Sequence, residues 1–265
     1  SQMKHGQGTA RRVIFGESIP AYGGVPVFPE FVHNRHVADV IYKKELPIIR
    51  SWDFGFHHPA VVLSNLYKCP KGTNHYISLT EVPDCFSLNI FDFYKEVKKH
   101  TDVLYHDSCL ILDTGDRAGY RKNDANKDNR GPIRILQDEY KLKFRWRYLD
   151  LEHSLEYMRK LLKEKCTCGL ETVLIHPNCK VLIGALEGGY KYPRTKDGKV
   201  GIKPVEDLYF ADIACAWRYG AENFVKWGVP YEEQHVLQQT YGHKQASPWA
   251  WMEMSDREVG AMLTR

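Results

Sequence analysis

No run of about 18 apolar residues occurs in the 265-residue chain, so no transmembrane helix is expected and no membrane partner is sought. The start, Ser1-Gln2-Met3-Lys4-His5-Gly6, is polar and has no apolar segment, so these residues are not expected to be a secretory signal peptide. Ser1-Gln2-Met3 reads as a residual tag, giving the expectation that the chain is a piece of something longer. The Gly-x-x-x-x-Gly-Lys-Ser/Thr phosphate loop is missing, which excludes a nucleotide-driven motor of that type within these residues. The Gly-x-Ser-x-Gly elbow is missing too, and no cysteine stands in a recognisable catalytic setting, so a Ser or Cys nucleophile has no support. Internal repeats and long low-complexity stretches are also lacking. Cysteine is limited to seven residues at irregular spacing, an odd number that argues for a reducing compartment over a disulfide framework. Cys166, Cys168, His176 and Cys179 have the residue types of a zinc site. Their spacing fits no strong pattern, and Cys179 lies between two apolar triplets, so buried free thiols are the reading there.

Charge of neither sign dominates: 37 Lys and Arg stand against 33 Asp and Glu, for a net +4. The distribution says more than the total. Arg117, Arg121, Lys122, Lys127, Arg130 and Arg134 crowd one segment. Lys141, Lys143, Arg145 and Arg147 follow, and Lys191, Arg194, Lys196, Lys199 and Lys203 form a third cluster. Most charge runs are solvated loops, but three basic loops flanking acidic motifs favour a polyanionic substrate.

Three β-prone runs, Ile48 to Phe54, Ala60 to Tyr67 and Tyr76 to Val82, are separated by turn-rich segments and predict an antiparallel meander. Helical spacing then takes over from Leu88 to His100. A strand is predicted at Cys109 to Asp113, a short helix at Ile133 to Glu139 and a short strand at Phe144 to Tyr148. A helix at Leu151 to Lys163, a strand at Thr172 to His176 and a helix at Cys179 to Leu186 come next. The last strong element is a helix from about Asp207 to Lys226. The fold class is α/β, a mixed sheet flanked by helices. Residues 1–46 are an irregular lead-in packing on the domain, 47–228 the domain itself, and 229–265 a polar tail that serves as a docking segment.

Acidic residues recur at element ends. Asp53 closes the first strand just before Gly55, Asp113 and Asp116 flank a Thr-Gly turn at another strand end, and Glu206, Asp207 and Asp212 lead into the last helix. Hydrolysis of a phosphodiester at neutral pH needs an activated water and charge neutralisation, which two hard divalent ions held by converging carboxylates supply. Any one of these acids alone is more often a surface residue or a cap. His57 and His58 beside Asp53 read first as turn or surface residues. Trp146, Tyr148, Trp217 and Tyr219 read first as core, although Trp146 among basic residues suits a nucleic-acid strand.

The ordered set resembles the C-terminal nuclease domain of the large terminase subunit of tailed bacteriophages, which has a ribonuclease-H-like fold. The residues that carry the resemblance are Gly24 to Phe31, Trp52-Asp53-Phe54-Gly55 with His58-Pro59, and Gly115-Asp116-Arg117-Ala118-Gly119, where Arg stands in place of the family's Pro. Further along are Pro177-Asn178-Cys179, Gly188-Gly189-Tyr190, Tyr192-Pro193, and Asp212 to Tyr219. The resemblance implies metal-dependent endonucleolytic cutting of concatemeric viral double-stranded DNA during packaging. It implies two Mg²⁺ or Mn²⁺ ions bridged by Asp53, with Asp116 (Asp113 its rival) and Asp212 each holding one. Arg117, Arg121, Lys122, Arg130, Lys191, Arg194 and Lys196 are then the DNA contacts. Implied partners are the portal protein, the small terminase subunit and the ATPase domain of the same full-length protein, in the cytoplasm of the infected host. One departure stands out: Cys215 occupies the position where the family's last helix usually carries an Asp, so Asp212, one turn away, has to take over or the site is weakened. Two other readings stay open here, a resolvase or transposase-type nuclease of the same fold and a non-catalytic DNA-binding packaging module.

Overall fold

The computed structural model describes residues 24–55, 59–71, 73–83, 88–121, 130–145, 150–195, 197–206 and 209–225. Its centre is a five-stranded sheet. A short strand β1 (Val25–Pro26) and a single helical turn α1 (His33–His36) precede it. Three apolar, β-branched segments then form the meander β2 (Ile48–Asp53), β3 (Ala60–Lys68) and β4 (Asn74–Val82). Helix α2 (Ile90–Leu104) is started by Asn89, whose side chain accepts from the amides of Phe91 and Asp92. Strand β5 (Ile111–Gly115), a 3₁₀ turn (Arg117–Tyr120), α3 (Pro132–Tyr140) and α4 (Leu151–Lys163) follow. The chain continues through β6 (Val173–Ile175), α5 (Lys180–Gly184), a π turn (Ala185–Gly189), β7 (Lys191–Tyr192) and α6 (Tyr209–Phe224).

The strand order is β5-β2-β3-β4-β6, with β2/β3 and β3/β4 antiparallel and β2/β5 and β4/β6 parallel. A further parallel bridge joins Phe144 to Asp113 on the outer side of β5. This arrangement, an antiparallel meander whose first strand takes a parallel neighbour, is the sheet of a ribonuclease-H-like α/β fold.

The period of two along each strand divides the molecule into layers. On β2, Ile48 and Trp52 face a core built with Phe93, Tyr94 and Val97 of α2 and Ile133, Ile135 and Leu136 of α3. Ile49 faces the opposite core, shared with Leu155 and Met158 of α4, Leu182 of α5 and Ile213, Trp217 and Phe224 of α6. Fully burying residues such as Ile213 and Phe224 contributes roughly 1.5–3 kcal/mol each. Helix α6 lies directly on the sheet at Gly220, where an added Cβ would stand 2.1 Å from both Ser51 Oγ and Tyr76 Oη. Only a residue without a side chain permits that approach.

The described part of the lead-in is tied down by pairing of β1 with β7 and by Ala38 N–H donating to the Ile175 carbonyl. The expected helix at 179–186 is split into α5 and the π turn, which ends where Gly188 adopts φ 118°. The tail from 226 onward, His57, His58, Lys122, Lys127, Trp146, Arg147, Tyr148, Lys196 and Asp207 lie outside the described residues. Among the described residues no helix is long and apolar enough to cross a membrane.

Candidate functional site

Strands β2 and β5 run side by side in the same direction and end together. Their register pairs Trp52 with Gly115, so the next residues, Asp53 and Asp116, emerge at one edge of the sheet. Carboxyl ends of parallel strands are where open α/β sheets gather ligands. Asp53 shares its parity with Ser51 and therefore projects to the α6 side. Helix α6 brings Asp212 in its first turn. All three carboxylates line a single pocket.

Each is held in place. The Gly55 amide donates to Asp53 Oδ1 at 2.9 Å. The Asp212 carboxylate lies against Gly55, 3.0 Å from where a Cβ would be, so the absence of a side chain lets it close on the end of β2. Asp116 Oδ1 accepts from the Ala118 amide at 2.9 Å and so caps the 3₁₀ turn.

Crowding shows in the proton affinity. The Asp53 carboxyl is pushed up to about 8, first by burial and then by the charges of Asp212 and Asp116, against the opposing Gly55 amide and Arg218 guanidinium. Like charges forced together in a partly desolvated pocket are the setting that a hard divalent cation relieves, and the all-oxygen donor set suits Mg²⁺ or Mn²⁺. By donor chemistry, the carboxylates that line this pocket fit such an ion.

Cys215, one turn along α6, also lines the pocket. Burial is the main force that pushes its thiol up to about 12, so it stays neutral and is a poor ligand for a hard ion. Beyond it the same face carries Tyr219 and Glu222. Glu222 pairs with Arg218 at 2.6 Å, and Arg218 also donates to Ser154 Oγ on α4. Burial raises the Glu222 carboxyl to about 7, with Arg218 opposing. Arg218 and Glu222 did not stand out in the sequence. The signal was there, since Asp212, Cys215, Tyr219 and Glu222 recur at steps of three and four, a polar stripe on an otherwise apolar helix.

Asp113 is placed elsewhere. Its carboxylate accepts from Arg50 Nε at 2.8 Å, Arg50 Nη2 at 2.7 Å and Trp52 Nε1 at 2.7 Å, all on the α2 side of the sheet. That buried network consumes both oxygens, and Asp113 is not among the pocket-lining residues. Of the basic residues, Arg117 and Arg121 are exposed at the pocket. Arg130 turns instead to Asp138 at 3.0 Å and Glu139 at 2.9 Å on α3. Lys191 is part of β7, and exposed Arg194 donates to the Gly198 carbonyl at 3.3 Å. Glu206 and Asp150, the residue that caps α4, add further carboxylates around the opening.

Sheet order and layering define a ribonuclease-H-like α/β protein with an acidic pocket at its strand ends. Solved structures place it further: the chain shares its fold with part of the large terminase of a thermophilic bacteriophage. The match has TM-score 0.56 at 14% identity and covers 77% of this chain and 46% of that one. The ADP complex of the same terminase matches at TM-score 0.56 and 13% identity, again over 77% and 46%. The manganese-bound nuclease domain of the large terminase from bacteriophage SPP1 is a looser match, TM-score 0.48 at 18% identity, over 75% of this chain and 98% of that one. This chain thus spans 46% of the length of the thermophilic phage's terminase. No protein-family model matches the sequence, and no curated protein is detectably similar to it.

Proposed function

We propose that the chain is the nuclease part of a large terminase subunit, a metal-dependent endodeoxyribonuclease that cuts concatemeric viral double-stranded DNA during packaging. The observation that carries this reading is the meeting of Asp53, Asp116 and Asp212 at the ends of β2 and β5. The shared fold with a large terminase supports it. On this reading Asp53, Asp116 and Asp212 would be the residues that hold two Mg²⁺ or Mn²⁺ ions. Such ions would neutralise phosphate charge and lower the pKa of a water so that hydroxide is available at neutral pH. The chain's own residues do the rest. Asp53 gives up its proton as the site is filled, Arg218 steadies Glu222 behind the carboxylates, and Arg117 and Arg121 hold flanking phosphates without reading sequence. Lys191 and Arg194 extend the contact along the backbone. The ATPase domain of the full-length protein, the portal and the small terminase subunit are the proposed partners, in the host cytoplasm.

Nicking of supercoiled plasmid in Mn²⁺ tests the reading. The unmodified chain is expected to nick, and Asp53→Asn and Asp116→Asn are each expected to fall to background while retaining the native fold by circular dichroism. Cutting that survives both substitutions would remove the assignment.

A further inference from the structure

At the opposite end of the sheet three segments bring four soft or borderline ligands together. Cys69 follows the last residue of β3, His75 is the second residue of β4, and Cys166 and Cys168 lie in the turn between α4 and β6. Their ligating atoms, three Sγ and one imidazole nitrogen, all lie within 4.8 Å of one another. All four residues are buried, none more than 4% exposed. The β2–β3 register pairs Asp53 with Ala60, and the β3–β4 register pairs Lys68 with Asn74. The cluster is therefore about eight residues of strand, roughly 26 Å, from the carboxylate pocket.

From these contacts we propose that Cys69, His75, Cys166 and Cys168 form a closed, structural Zn²⁺ site. Tetrahedral zinc with Zn–S of about 2.3 Å and Zn–N of about 2.0 Å puts neighbouring sulfurs about 3.8 Å apart and sulfur about 3.5 Å from nitrogen. Cys166 Sγ is 3.6 Å from Cys69 Sγ, and Cys168 Sγ is 3.5 Å from His75 Nε2. The imidazole is already oriented: His75 Nδ1 is 2.8 Å from the Glu171 carbonyl, which only accepts, so Nδ1 carries the proton and Nε2 presents its lone pair to the sulfurs. Glu171 is itself fixed by a 2.7 Å ion pair with Arg35.

The Cys166–Cys168 turn is built to aim two thiolates at one point. Lys165 bridges Glu171, the Cys166 amide donates to the Leu170 carbonyl at 2.9 Å, and the Gly169 amide donates back to the Cys166 carbonyl at 2.9 Å. Gly169 takes φ 97°, a conformation that glycine adopts without strain. Four protein ligands leave no open coordination position, so the ion ties the β3–β4 hairpin to the segment that feeds β6 and takes no part in cutting. The cysteines that the sequence grouped with His176 and Cys179 are thus regrouped. His176 uses its two ring nitrogens on Asp39 and the Asn178 amide, and Cys179 is buried at the start of α5.

Metal content of the purified full chain, measured by inductively coupled plasma mass spectrometry, tests this directly. One equivalent of zinc is expected, retained in Asp53→Asn and Asp116→Asn and lost in Cys166→Ser and His75→Ala. Should those variants fail to fold, Co²⁺ exchange into the unmodified chain is expected to give the intense visible bands of tetrahedral thiolate coordination. Zinc far below one equivalent with the thiols free, a disulfide between Cys69 and Cys166, or zinc lost only with the aspartates would each overturn the proposal. Failure of plasmid nicking leaves this result untouched, because the two sites stand at opposite ends of the sheet.

Discussion

Two aspartates three positions apart have opposite work. Asp113 faces α2 and holds a guanidinium that is 5% exposed, whereas Asp116 stands past the strand end in the pocket. Asp113→Asn strands the Arg50 charge in a buried setting and is expected to cost about 3–5 kcal/mol in urea denaturation. Asp116→Asn keeps an oxygen for the Ala118 amide and is expected to cost well under that, while removing activity. Strand parity explains this separation, which the sequence reading left open with Asp113 as the rival of Asp116: Arg50, Trp52 and Asp113 belong to one face, Ser51, Asp53 and Thr114 to the other. What hid it was the register of β2 on β5, which no local pattern encodes.

Asp53 also carries a pH signature. Its folded value near 8 lies above the ordinary carboxylate range, so the folded, metal-free protein binds the proton more tightly than the unfolded chain does. The stabilisation that this proton provides is complete below the ordinary range and is lost as pH rises through about 8. Thermal melts in buffer free of Mg²⁺ and Mn²⁺ are expected to fall in midpoint across that window for the unmodified chain. Asp53→Asn is expected to flatten the fall and to melt higher than the unmodified chain at the alkaline end. A steeper fall in the variant would contradict the assignment.

At the scale of elements, the meander was the most legible part. The expected runs at 48–54, 60–67 and 76–82 match β2, β3 and β4 closely, because β-branched residues crowd them and turn residues separate them. Helix α6 was equally plain from its apolar spacing. The two-residue pairing of β1 with β7 was not, being too short to leave a periodic trace; β6 itself was expected at 172–176, but its parallel docking on β4 is a long-range pairing that no local pattern encodes. The Cys and His cluster escaped for the same reason: its members come from three segments joined only by sheet register. Helix α6 positions Asp212 through its contact at Gly220. Gly220→Ala forces a methyl into Ser51 and Tyr76 and is expected to cost about 1–3 kcal/mol by chemical denaturation. Because α6 would shift on the sheet, nicking is expected to drop as well, although no carboxylate is altered.

Across the whole molecule, the sheet separates two chemistries. Hard oxygen ligands gather where β2 and β5 end, and soft sulfur ligands gather at the far turn of β3 and β4. The Arg117 and Arg121 side chains sit on the acidic side, where a phosphate backbone would be drawn toward the carboxylates. The acidic end was foreseeable as a constellation, since Asp53, Asp116 and Asp212 all stand at element boundaries. Its depth was not, because Glu222 and Arg218 matter only once α6 is laid across the strands. The central claim is that these carboxylates capture divalent ions, and anomalous diffraction from a crystal soaked in Mn²⁺ tests it most directly. Two peaks are expected within bonding distance of Asp53, one shared with Asp116 and one with Asp212. A fully soaked crystal with no anomalous density between those three side chains would contradict the account.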